Sequence, residues 1–306
     1  MNADLLLRLL SLGRGGRLRT VMQVAGNLLI LAVLAFALYQ NRHQFQQASF
    51  SLDYPMAALA LALWVGAYLL FAMGWTLVLR ALGSPVGWWK ASRVFFLSQG
   101  LKYIPGSVVY AFGRVYLAQE AGVRAIPAAI GLALESFLAL GTAILVFLAL
   151  LPLGLVQDLP TPLIAGALVG VVAILVSLPL VLGRLSAFYA HTGPVDLSYT
   201  MLALLSGFYV IIWLVVGFAC FASLKSLGSG FNLGFVQVLG IYALSWAAGL
   251  VAVFAPGGVG VRDGLLILFL SRFVPLPVAA MGAAVLRVQT LVVEGALAFI
   301  ALKLQR

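Results

Sequence analysis

Charge is the scarcest property of this chain. Only 8% of its 306 residues are charged, and just eight are Asp or Glu; an ordinary soluble domain carries about 25%. Water is thereby excluded as the solvent for most of the surface. Cysteine is nearly absent: Cys220 stands alone in an apolar run, which excludes an intrachain disulfide and a cysteine metal site. Histidine is scarce as well. His43 and His191 fall in expected loops on opposite sides, so neither a His-based metal centre nor a Ser/His nucleophile is supported. The expectation is a chain that is not an enzyme and carries no cofactor and no metal.

What is present is hydrophobicity, at 64% of residues. The stretches Tyr54 to Leu79, Leu159 to Gly183, Leu197 to Leu224 and Ser226 to Val261 contain no charge, and each exceeds the roughly 20 residues that cross hydrocarbon. Backbone polar groups in lipid must pair internally, so only helices or closed barrels span, and continuous apolar runs exclude the alternating barrel pattern. The expected fold is an all-α polytopic integral membrane protein of about 7–8 transmembrane helices. One transmembrane domain is expected over 20–306, behind a basic segment at 1–19. The net charge of +10 comes from Lys and Arg scattered at helix ends. That pattern suits anionic lipid headgroups and not nucleic acid.

Arg8, Arg14, Arg17 and Arg19 precede the apolar run Thr20 to Gln40, which holds an Ala35-Phe36-Ala37 signal-like site. The run is too long for a signal h-region and reads as an uncleaved first helix with its N-terminus in the cytoplasm. Tyr54 to Leu79 then returns to Arg80 and Lys90 on the inside. The loop after Ile126 to Leu151 carries Asp158 and no Lys or Arg, which places it outside. Pro162 to Leu182 comes in, Met201 to Leu224 goes out, and Phe235 to Phe254 returns; the side of the C-terminus stays open. Gly166 and Gly170 form a small-xxx-small pair that reads as intramolecular packing.

Two segments break this pattern. Ser92 to Gln119 contains Arg93, Lys102 and Arg114 with Pro105-Gly106 at its middle, and the second break is Pro256-Gly257-Gly258-Val259-Gly260-Val261-Arg262-Asp263. Proline removes a donor and clashes with the preceding turn, so each segment splits into half-helices, as a re-entrant hairpin or a broken span. The sidedness of the flanking loops favours the hairpin for the first. Each break is followed by a helix with one glutamate, Glu135 or Glu294, a repeat at the level of architecture that suggests two related halves. Discontinuous helices in corresponding places mark a transporter's binding site, because half-helix ends expose backbone groups at membrane depth. Charges inside a membrane helix cost roughly 2.5–3.5 kcal/mol each on insertion scales and need a reason. The candidate binding residues are therefore Lys102, Tyr103, Pro105, Gly106, Arg114, Glu135, Pro256, Gly257, Gly258, Gly260, Arg262, Asp263, Arg287 and Glu294. Arg114, Arg262 and Arg287 suit a phosphate, with the carboxylates fixing those arginines.

Lys102-Tyr103-Ile104-Pro105-Gly106, Arg114, Glu135 and the Pro256 to Asp263 segment resemble the lysylphosphatidylglycerol synthase transmembrane, or flippase-like, family, over roughly Ala57 to Leu302. Asp263 stands where that family usually has Glu, which keeps the carboxylate, and Ser136 stands where it often has Arg. The resemblance implies movement of a lipid between leaflets, without the cytosolic aminoacyl transferase that some members carry. The implied cargo is an anionic phospholipid, an aminoacyl-lipid or a polyprenyl-phosphate-linked lipid. Membrane lipids are the expected partners, with a second copy of the chain or a lipid-synthesis enzyme as protein partners. A scaffold or regulatory subunit of a lipid or envelope biosynthesis complex and a small-solute secondary transporter stay open as alternatives.

Overall fold

A computed structural model describes residues 52–102, 107–151, 197–228, 231–252, 258 and 260–303, with scattered positions between 162 and 184. The expected helix Thr20 to Gln40, the Asp158 loop, both histidines, Tyr103, Pro105-Gly106 and Pro256-Gly257 lie outside the described residues. The described helices are α1 (Tyr54–Ala81), α2 (Trp88–Leu101), α3 (Ser107–Glu120), α4 (Ala125–Leu150), α5 (Tyr199–Lys225), α6 (Phe235–Val251), α7 (Val261–Leu270) and α8 (Leu276–Lys303). No strand occurs among the described residues, and the chain is a polytopic helical membrane protein, as its composition requires.

Among the described residues, four helices are long and apolar enough to cross a membrane: α1, α4, α5 and α8. Local chemistry sets their starts. Asp53 accepts a hydrogen bond from the Met56 amide (3.0 Å) with Pro55 in the first turn, and Ser198 accepts from the Met201 amide (3.1 Å). Their outward faces are greasy where a soluble helix would be polar. Leu204 on α5 and Val292 and Phe299 on α8 are largely exposed, the expected finish for a surface facing lipid.

The other four helices are short and paired. At 1.5 Å per residue, the 14-residue α2 and α3 reach ~21 Å, the 17-residue α6 ~25 Å and the 10-residue α7 ~15 Å, all short of the ~30 Å hydrocarbon core. Helix α2 packs against α3, and α6 against α7, so each break joins the arms of a helical hairpin. The sequence pattern takes Phe235 to Phe254 as a return crossing; this helix ends at Val251 and packs on α4, α5 and the neighbouring short α7. Gly258 and Gly260 supply the reason. Their φ values of +68° and +88° lie in the left-handed region, which glycine enters without strain, and a Cβ on Gly258 would sit 3.3 Å from the Gly249 Cα.

The described helices form two halves with one plan: long, short, short, long. Exchanging α1–α4 with α5–α8 maps every substantial helix contact onto another: α2 on α8 becomes α6 on α4, α3 on α4 becomes α7 on α8, and α1 on α5 maps onto itself. The Pro-Gly pairs (from 105 to 256), the starts of α4 and α8 (from 125 to 276) and a glycine in each (from 131 to 282) share one step of 151 positions. Gly131 abuts Leu79 near the end of α1, and Gly282 abuts Leu224 near the end of α5. In an apolar solvent, such close approaches supply the van der Waals packing that holds helices together.

The halves are inverted. The Asp53 amide at the start of α1 donates to the Ser226 carbonyl at the end of α5 (2.9 Å), and the Trp64 indole donates to Ser223 Oγ (3.2 Å), so α1 and α5 run antiparallel. One hairpin follows the end of α1 and the other follows the end of α5. Their mouths therefore open at opposite ends of the bundle, and α8 ends beside Arg80 and the first mouth.

Candidate functional site

Midway along the bundle, five charged side chains from both halves converge. Lys102, just past the end of α2, puts Nζ 2.6 Å from Glu294 Oε1 on α8 and 3.2 Å from Gln99 Oε1. The Tyr68 hydroxyl on α1 donates to the same Glu294 oxygen. At the tip of the second hairpin, Arg262 Nε is 3.2 Å from Asp263 Oδ1, while Arg287 Nε on α8 approaches Asp263 Oδ2 at 3.9 Å. Glu294 and Arg287 lie seven positions apart, on one face of α8, so that helix links the two groups. Gly249 gives it room: a Cβ there would come within 2.9 Å of the Arg262 Cβ.

The balance of this centre is three cations against two carboxylates. The side chains are not sealed, since Lys102 is 24% exposed and Asp263 18%. Helices α3 and α7 both begin at the hairpin tips, so their N-terminal amides, the positive ends of two helix dipoles, add to the attraction for an anion.

Arg114 and Glu135 are set apart from this centre. Arg114 Nη2 lies 2.5 Å from Glu135 Oε2, and Nη1 donates to the Tyr110 hydroxyl at 2.6 Å. The guanidinium is stacked over Trp75 at 4.2 Å and Phe95 at 4.7 Å, and only 1% of the residue is exposed. Aromatic faces attract a cation and exclude water, so the pair is an enclosed, internally neutral unit. It ties α3 of the first hairpin to α4, with α1 and α2 supplying the rings.

Of the residues singled out in the sequence, Lys102, Arg262, Asp263, Arg287 and Glu294 come together, with Gly258 and Gly260 shaping the second tip. Tyr68, which orients Glu294, had no signal in the sequence, being an uncharged residue in an apolar helix. The same holds for Gln289, whose Oε1 accepts from Ser223 Oγ at 2.5 Å and links α8 to α5. Among the described residues no group of three or more His, Cys, Asp or Glu is placed to hold a metal.

No curated protein matches the chain. The family model of the Lysylphosphatidylglycerol synthase TM region matches residues 23–298, nearly the whole length and both hairpins. The chain is a member of the Lysylphosphatidylglycerol synthase TM region family, a family of lipid-related membrane proteins.

Proposed function

We propose that this protein moves a phosphate-bearing lipid between the leaflets of the cytoplasmic membrane, as a transporter and not an enzyme. The observation that carries the reading is the meeting of Lys102, Arg262 and Arg287 with Glu294 and Asp263, contributed by both halves, midway between the hairpins. A headgroup phosphate is the anion that this partly open group of cations attracts, and the acyl chains stay in the surrounding hydrocarbon. Phospholipids, aminoacyl-lipids and polyprenyl-phosphate-linked lipids all present this anion. A scaffold is better served by a closed, charge-paired interior, whereas Lys102 and Asp263 are partly exposed.

Both hairpins are read as re-entrant, one dipping in from each membrane face, with their tips presenting half-helix N-termini to the cargo. Inverted halves give an alternating route: a shift that opens one hairpin to its leaflet has a counterpart at the other. Arg80, Lys90, Arg93, Arg124 and Lys303 mark the first mouth's end, against Lys225 and Arg272 at the other. That asymmetry supports a cytoplasmic first mouth and a cytoplasmic C-terminus, and Arg8, Arg14, Arg17 and Arg19 support a cytoplasmic N-terminus.

The test is translocation of fluorescent phosphatidylglycerol in proteoliposomes, followed by dithionite quenching of the outer leaflet. Wild-type protein accelerates movement, and R262Q/R287Q brings the rate down to that of protein-free vesicles while gel filtration stays unchanged. A full rate in the folded double variant contradicts the reading.

A further inference from the structure

The mouth of the first hairpin holds a second group of charges that the central site does not use. Between α2 and α3, Lys90, Arg93 and Glu120 line an open groove floored by Val94, Leu97 and Leu117. Its volume is about 110 Å³, several times the roughly 10–15 Å³ that one ordered water needs. The Nε of Arg93 is buried and has no hydrogen-bond partner among the described residues, so the guanidinium is not tied to the protein through that N–H. Glu120 does not hold it either, since no ion pair joins Glu120 to Lys90 or Arg93.

The groove also has the character of a membrane interface. Trp88 and Trp89 open α2 beside it, Trp89 is 74% exposed, and tryptophan favours headgroup depth. Two cations above an apolar floor match a lipid phosphate with its glycerol and first methylenes below. Glu120 sets the net charge of the lining at +1. That balance suits one phosphodiester anion and penalises the second charge of a phosphomonoester.

We propose that this groove is a docking site for the monoanionic phosphodiester headgroup of a membrane lipid, with Lys90 and Arg93 holding the phosphate and Glu120 selecting against dianionic headgroups. It is separate from the central site and stands whether or not the protein translocates lipid.

The experiment uses the full chain in detergent carrying R262Q/R287Q, so that the central cations do not contribute. It is titrated with dihexanoylphosphatidylglycerol, dihexanoylphosphatidic acid and inorganic phosphate, followed by phosphorus NMR line broadening. Adding R93Q weakens phosphatidylglycerol binding about tenfold, the loss of one charge-assisted contact, and K90Q weakens it less. Adding E120Q raises the affinity for phosphatidic acid relative to phosphatidylglycerol, and inorganic phosphate in tenfold excess does not displace the lipid. Equal lipid binding with and without R93Q in folded protein overturns the site, and displacement by inorganic phosphate overturns the lipid as its occupant.

Discussion

The two halves share one architecture and use it differently. In the first, the hairpin's arginine is enclosed: Arg114 meets Glu135 within its own half, 21 positions away, under aromatic rings. In the second, the hairpin's arginine is left partly open: Arg262 shares Asp263 with Arg287, and the glutamate of that half, Glu294, reaches back to Lys102 of the first hairpin, 192 positions away. One half has completed its charges locally. The other joins its partner through the Lys102–Glu294 contact. The repeated frame thus keeps one polar pair enclosed and leaves the other charged group partly open, where the cargo is proposed to bind.

The largest effect that can break this comparison comes from the enclosed pair. E135Q leaves the Arg114 charge buried and uncompensated, a loss of about 3–5 kcal/mol, read as a lower midpoint in thermal gel-filtration profiles. R114L/E135L removes both charges and recovers most of that stability. If E135Q instead keeps wild-type stability and loses lipid movement, the enclosed pair belongs to the route and the division between the halves fails.

A smaller effect sharpens it through the paired glycines. A Cβ on Gly282 would meet Phe231 at 2.6 Å and Leu224 at 2.7 Å, whereas one on Gly131 meets Leu79 and Trp75 at 3.3 Å. Both substituting atoms sit in helices, where alanine is favoured over glycine by roughly 1 kcal/mol. Phe231 is 2% exposed and has little space to yield, so overpacking of about 1–3 kcal/mol prevails in G282A. The expected result is a lower midpoint for G282A and one near wild type for G131A. The reverse order contradicts the packing assigned to the two half-equivalent contacts.

Much of this was legible in the sequence, and what was not has a physical cause. Apolar runs identified the long helices, and the expense of intramembrane charge singled out Lys102, Arg262, Asp263, Arg287 and Glu294 before any geometry was known. Which charges would meet was not legible, because Lys102 and Glu294 are joined only by the packing of α2 on α8. Tyr68 and Gln289 were silent for a different reason: a hydrogen bond between apolar helices leaves no periodicity. The stretch from Phe235 is apolar enough to read as a crossing, and only the pairing of α6 with α7 marks it as one arm of a hairpin. The inversion follows from two contacts between α1 and α5, Asp53 to Ser226 and Trp64 to Ser223, that no pattern of residue types encodes.

The central claim is that two hairpins enter from opposite membrane faces and meet at the charged centre. Single cysteines in a C220A chain test it, at Ser84 and Gln119 beside the first mouth and at Asn232 and Arg272 beside the second. Labelling uses a membrane-impermeant maleimide on vesicles of both orientations. The account predicts that the first pair reacts only from the cytoplasmic face and the second pair only from the opposite face. Reaction of both pairs from the same face contradicts it.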